Sequence, residues 1–312
     1  MKKFLSLTFI LGAAMAFVAC SPAEKKEEVK KDQLNVVTTF YPMYDFATKV
    51  TKDKANVSML IDGGVEPHDY EPSAKDMAKI QNADVFIYNS HEMETWVESV
   101  LKNIDTSKIK VIEASKGIEL LEGAHDDEEE SDEHEGHSHA VDPHVWLDPI
   151  LVKQEVDTIT KEVAAVDKEN ASFYKENADD FKKDLDKLDQ DYAKSFKDVT
   201  NRKFVTQHMA FSYLAHRYNL EQRPISGISP DQEPTPKELK KIEDFVKNEK
   251  IETIYTESSA SPKIAKTISD ATGAELAVLN PMETVSKSKR DAGEDYLSIM
   301  NQNLDALKLS IK

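Results

Sequence analysis

Nine histidines are spread along a chain of 312 residues, and five of them, His125, His134, His137, His139 and His144, fall between residues 125 and 144 beside a run of acids. That crowding has three readings: one built metal site, a loose metal-attracting segment, or a solvated charge run with incidental histidines. Four stretches help to decide between them, each placing a ligand-type side chain after a predicted strand. They are "GGVEPHDYEPS" with His68, "DPHVWLDP" with His144, "VTQHMAFSYLA" with His208 and "LNPMETV" with Glu283. Three neutral imidazoles and one carboxylate are donors of borderline hardness, which suit tetrahedral Zn²⁺ at Zn–N distances of about 2.0–2.1 Å. Mn²⁺ and Mg²⁺ favour more oxygen, so the third histidine points to zinc. His68 and His144 each follow a proline, which fixes the local backbone and so the direction of the ring.

The elements that must position these groups are legible as two sets of short apolar or β-branched runs. The first set covers 34–40, 56–61, 84–90 and 110–114, and the second 202–208, 223–228, 251–257 and 274–280. Helical patterns lie between the runs, so each set predicts a parallel α/β sheet built from right-handed crossovers. Open parallel sheets bind ligands beyond the carboxyl ends of their strands, where His68, His208 and Glu283 fall. Ser73 with Asp76, and Thr235 with Pro236 and Glu238, are helix-start signals. A last helix is expected from Asp291 to about Leu309.

Residues 169–199 contain no glycine or proline, and Tyr174, Ala178, Phe181, Leu185, Leu188, Tyr192 and Phe196 form one apolar stripe at helical spacing. A helix of that length is roughly 45 Å long, a strut across two lobes. His68 and His144 precede it and His208 and Glu283 follow it, so the site is expected to bridge the lobes. A stiff helical linker predicts modest opening.

The start, "MKKFLSLTFILGAAMAFVAC", has two lysines and an apolar run of fifteen residues ahead of Ala19 and Cys20. That run is short of the ~20 residues a membrane-spanning helix needs and reads as a secretory signal. Cys20 is the only cysteine, which excludes a disulfide framework and a thiolate metal site. The signal resembles that of bacterial lipoproteins, in which this cysteine is lipidated; Phe17 stands where the pattern usually has an aliphatic residue. The net charge of −18 argues against nucleic-acid partners, which require a basic face.

"PHDYEPS", "DPHVWLDP", "HMAFSYLAHRY", "ISPDQEPTP", "TESSASPKIAKTISDATGAE" and "LNPMETV" together resemble, in order and spacing, the zinc-specific substrate-binding lipoproteins of bacterial metal ABC uptake systems. Their group also includes manganese-binding lipoprotein adhesins. The resemblance implies two doubly wound α/β lobes joined by a long rigid helix, with Zn²⁺ in the cleft held by His68, His144, His208 and Glu283. Manganese-type members have a carboxylate where this chain has His208. It also implies delivery to an ABC permease and its ATPase. The corresponding layout is a signal at 1–19, a lipid-anchored tether at 20–33, lobes at 34–167 and 200–312 and a linker helix at 168–199. The expected product is a monomer on the outer face of the cytoplasmic membrane, periplasmic in a Gram-negative cell.

The segment 123–140 contains His125, His134, His137 and His139, and eight acids lie within 126–135. Such a composition cannot bury a core, so these four histidines are expected to form an accessory, low-affinity metal loop. Deleting 125–139 is expected to leave tight binding intact. His91 is read as structural, and His216 as remote from the site. Glu66, Asp69 and Glu257 are possible partners that orient imidazoles. Besides metal delivery, a surface adhesin and a zinc hydrolase remain open. The hydrolase needs an open coordination position and a general base, and no HExxH pattern occurs in the chain.

Overall fold

Apolar strands that alternate with amphipathic helices become two separate parallel sheets. The computed structural model describes residues 33–123 and 141–312; the signal, Cys20, His125, His134, His137 and His139 lie outside the described residues. The first half runs β1 (Leu34–Thr38), α1 (Tyr41–Thr51), β2 (Ala55–Met59), α2 (Ala74–Gln81), β3 (Val85–Tyr88), α3 (Val97–Lys102), β4 (Lys110–Glu113) and α4 (Pro149–Val166). The long α5 (Ala171–Phe196) follows. The second half runs β5 (Lys203–Thr206), α6 (Ser212–Arg217), β6 (Glu221–Pro224), α7 (Pro236–Asn248), β7 (Thr253–Thr256), α8 (Lys263–Thr272), β8 (Glu275–Val278), α9 (Lys287–Asp291) and α10 (Tyr296–Leu307).

The sheet orders are β2-β1-β3-β4 and β6-β5-β7-β8, every pairing parallel, so the two lobes repeat one topology. Central strands are apolar along their length because helices cover both faces: β3 and β7 are buried at every position. The capping boxes expected at Ser73–Asp76 and Thr235–Glu238 both form.

α5 is the strut the stripe predicts. Its apolar residues from Tyr174 to Phe196 are buried, and its 26 residues extend about 39 Å. At one end Asn177 donates to the Val50 carbonyl of α1 (2.9 Å); at the other, Tyr192 stacks on Tyr218 (5.1 Å between centroids) and donates to the Met300 carbonyl of α10 (2.6 Å). α4 packs beside α5, and its Val152, Val156, Ile159 and Val163 are buried. The resulting core is continuous between the lobes: Phe46 of α1 meets Phe181 of α5 and Tyr296 of α10.

Two expectations are corrected. The last helix does not run unbroken from Asp291: α9 ends there, Gly293 just beyond it has a φ of +90° that suits a helix terminus, and Asp295 restarts the chain as the cap of α10 with Ser298. β6 occupies Glu221–Pro224 rather than 223–228; it is an edge strand of polar residues and so carries little hydrophobic periodicity. No helix among the described residues is long and apolar enough to cross a membrane.

Candidate metal centre

Loops at the carboxyl ends of both sheets converge between the lobes. His208 lies two residues beyond β5, Glu257 one residue beyond β7, Glu283 five beyond β8 and His68 nine beyond β2. His144 arrives differently: it does not directly follow its strand, but comes after a long connection from β4 and precedes a single 3₁₀ turn, Val145–Leu147. His68, His144, His208 and Glu283 each offer one donor atom, and all four atoms lie within 4.8 Å of one another.

The spacing is tighter than that limit. His144 Nε2 is 3.3 Å from His68 Nε2 and 3.4 Å from His208 Nε2, while Glu283 Oε1 lies 3.0 Å from His208, 3.1 Å from His144 and 3.4 Å from His68. Four ligands on a tetrahedral ion at about 2.0–2.1 Å are about 3.3–3.4 Å apart. Five of the six separations in the set therefore already have nearly the edge lengths of a zinc tetrahedron, and the sixth, His68 to His208, is within 4.8 Å. Glu283 Oε2 is buried and makes no hydrogen bond among the described residues.

Behind each of two imidazoles stands a carboxylate that fixes the ring and leaves Nε2 facing the cluster. Asp142 Oδ1 meets His144 Nδ1 at 2.7 Å and accepts from its backbone N–H at 2.9 Å. Glu257 Oε1 does the same for His208, at 2.6 Å and 3.2 Å. Tyr213 from the second lobe donates to the Asp142 carbonyl (2.6 Å), and Asn89 to that of Pro143 (3.0 Å), so the His144 turn is held from both lobes.

The Glu283 loop is equally fixed. Met282 has a left-handed φ of +61°, which costs a non-glycine residue about 1–3 kcal/mol and persists only when its surroundings impose it. Asn280 accepts from the Met282 N–H and exchanges two hydrogen bonds with Asn303, and Trp146 donates to the Pro281 carbonyl, all at 2.8 Å.

Burial acts to raise Glu283, but the adjacent His208 and hydrogen bonds from the imidazoles override it and hold the carboxyl well below its usual range. Burial acts to lower His208, yet the carboxylates of Glu283 and Glu257 hold it well above an ordinary imidazole. His144 is raised against burial by Asp142 and Glu283, whereas burial prevails at His68 and lowers it. Burial and the nearby Glu283 push Glu66 up to about 7. His68 is the one member with side-chain exposure, 8%, against 0% for Glu283 and the other two imidazoles.

The structure thus brings together all four residues expected as ligands. Of the possible orienting acids, Glu257 holds His208, Glu66 accepts from the His68 backbone N–H at 3.2 Å, and Asp69 is exposed. Asp142 is not among the residues the sequence singles out, although its position two residues before His144 across a proline is the available signal. His91 stands apart from the cluster, 3.1 Å from the Tyr88 hydroxyl, and His216 is exposed on α6.

Comparison with known proteins gives concordant results. Residues 36–309 match the family model described as "ZnuA: Zinc-uptake complex component A periplasmic". The chain is 46% identical over 313 residues to the high-affinity zinc uptake system protein ZnuA of Bacillus subtilis, covering 99% of this chain and 98% of that one. The Zn(II)-bound ZnuA-like domain of Streptococcus pneumoniae AdcA superposes with a TM-score of 0.76 at 42% identity, covering 89% of this chain and 98% of that domain. AdcA as a whole is longer, and the chain spans 61% of it. The laminin-binding protein Lmb of Streptococcus agalactiae, described as bifunctional with adhesin and metal-transporting activity, superposes with a TM-score of 0.78 at 40% identity, covering 90% of this chain and all of that one. The chain belongs to the ZnuA family, the periplasmic component A of zinc-uptake complexes.

Proposed function

We propose that His68, His144, His208 and Glu283 hold one Zn²⁺ as cargo, and that the protein captures zinc outside the cytoplasmic membrane and delivers it to an ABC permease and its ATPase. The observation that carries this reading is the convergence of three Nε2 atoms and one carboxylate oxygen, five of whose six separations are 3.0–3.4 Å. The Asp142 and Glu257 carboxylates behind the rings strengthen it, because they pre-set the tautomer that presents Nε2 to a metal. Zinc bridges ligands from both lobes, and closure presents the loaded face to the permease. The strut α5 and the shared core keep that motion small.

No covalent chemistry is required. Glu283 fills the position that a hydrolase would leave to water, so the protein is read as a carrier and not an enzyme. Cys20 is the proposed site of a lipid anchor, with 20–33 as its tether, lobes at 34–167 and 200–312 about the linker 168–199, and a monomer as the working form. Adhesion is a second reading that rests on the Lmb relative; retention of the purified protein on immobilised laminin tests it.

A crystal of protein purified without added metal, measured on both sides of the zinc absorption edge, tests the main proposal. An anomalous peak bonded to the four side chains is expected. A peak elsewhere, or a manganese signal at that position, would overturn it.

A further inference from the structure

We infer that Arg290, Asp62 and Gly63 form a clasp between the loop carrying His68 and the loop carrying Glu283, and that this clasp sets how fast zinc leaves. The inference rests on the zinc reading above.

The His68 loop is the weakly held one. After β2, Ile61 makes the last ladder-type bond, to the Thr39 carbonyl at 2.9 Å. Residues 62–66 then form only a loose turn at Gly63–Gly64 with no well-formed backbone hydrogen bond to the rest of the described residues; the next is Tyr70 to Pro67 at 3.3 Å. Gly63 and Gly64 stand at the root of this stretch, Gly64 with a φ of +97°. A loop of that kind swings about its root unless something outside it holds it. His68 is also the ligand nearest solvent, so the loop covers the exit.

The hold comes from the segment that follows Glu283. Arg290 of α9 donates to Asp62 Oδ1 at 2.9 Å and also to the carbonyl of Val285, two residues after Glu283. Its guanidinium lies 5.7 Å from the Tyr44 ring centroid, which steadies it against the first lobe. One side chain therefore ties both ligand loops together. Beside it the backbones touch: a Cβ at Gly63 would lie 2.9 Å from Ser286 Cα and 3.3 Å from Ser286 N. A side chain there would push the loops apart, and glycine is the residue that allows the contact.

None of these residues is within the donor set, so they act as positioning residues. The test is zinc release, timed by stopped flow into excess chelator, from wild type, Asp62→Ala, Arg290→Ala, the double variant and Gly63→Ala. Asp62→Ala and Arg290→Ala are each expected to speed release by about fivefold, the scale of one partly exposed ion pair, and Gly63→Ala is expected to speed it by separating the backbones. The double variant should release no faster than the faster of Asp62→Ala and Arg290→Ala, because the two residues make one contact. Association rate and the melting temperature of the metal-free protein should stay at wild-type values, which a merely structural role would not leave unchanged.

Stoichiometric zinc with wild-type release from Asp62→Ala and Arg290→Ala overturns the clasp alone. So do effects that multiply in the double variant, or faster release accompanied by an equal loss of metal-free stability. Wild-type protein that takes up no stoichiometric zinc overturns the zinc reading itself, and the clasp with it.

Discussion

Asp142 Oδ1 bonds twice to His144, once to the backbone N–H at 2.9 Å and once to Nδ1 at 2.7 Å, so one carboxylate sets both where the residue sits and which nitrogen faces the cluster. Partners of metal-ligating histidines typically contribute 10–100-fold in metal affinity. Asp142→Ala is expected to weaken zinc binding by about that factor while stoichiometry stays at one. Competition titration against a chromogenic chelator measures it, and affinity within twofold of wild type would remove Asp142 from this role.

Zinc affinity should depend on pH in a definite direction. His208 and His144 are held above the ordinary imidazole value, so they retain protons at pH values where a free histidine has lost them. Only the neutral ring ligates, so zinc must displace those protons. Affinity is expected to fall by about tenfold per pH unit for each displaced proton as pH drops from 8 to 6. Calorimetry at pH 7 in buffers of different ionisation enthalpy should show proton release; an enthalpy independent of buffer would contradict the argument.

A second buried acid, outside the donor set, gives a stability prediction. Glu155 on α4 is fully buried, neither oxygen has a hydrogen-bond partner among the described residues, and burial together with the charge of Glu94 raises it well above the usual carboxyl range. The folded state therefore binds this proton more tightly than the unfolded chain does. Its contribution to stability is fully present below the unfolded value of about 4.3, and is lost as pH rises through the folded value at about 1.4 kcal/mol per unit. Glu155→Gln removes that dependence. Chemical denaturation should show the variant gaining on wild type between pH 5 and pH 8, and a constant difference would refute the assignment.

The strut should couple the lobes. Leu185 is fully buried in the middle of α5, and the core that α5 shares is continuous from α1 to α10. Leu185→Ala is expected to cost about 2–5 kcal/mol and to preserve a single unfolding transition. Circular dichroism and tryptophan fluorescence should move together; two separated transitions would show the lobes to be independent.

Much of this architecture is visible in the residues because local and tertiary preferences agree. The β-branched runs, the glycine-free stripe of α5 and the two capping boxes each point to the element that forms. The four residues that converge are legible because each is tied to a short motif at a strand end or a proline. The misses share a physical cause, which is that partners distant in sequence impose the structure. β6 is polar and paired only at the edge, α10 starts at a cap hidden inside an apparently continuous helix, and Asp142 acquires its role through the fold around Pro143 and Tyr213. The Arg290–Asp62 contact spans 228 residues and leaves no trace in local pattern.

Calorimetric titration of wild type and His208→Ala with Zn²⁺ tests the central claim most directly. His208 Nε2 is the donor nearest Glu283, at 3.0 Å, and His208 is locked from behind by Glu257. Wild type should bind one zinc tightly, and the variant should lose at least about 100-fold in affinity with its metal-free melting curve preserved. Unchanged affinity in His208→Ala would take that residue out of the site and contradict the three-histidine, one-glutamate centre.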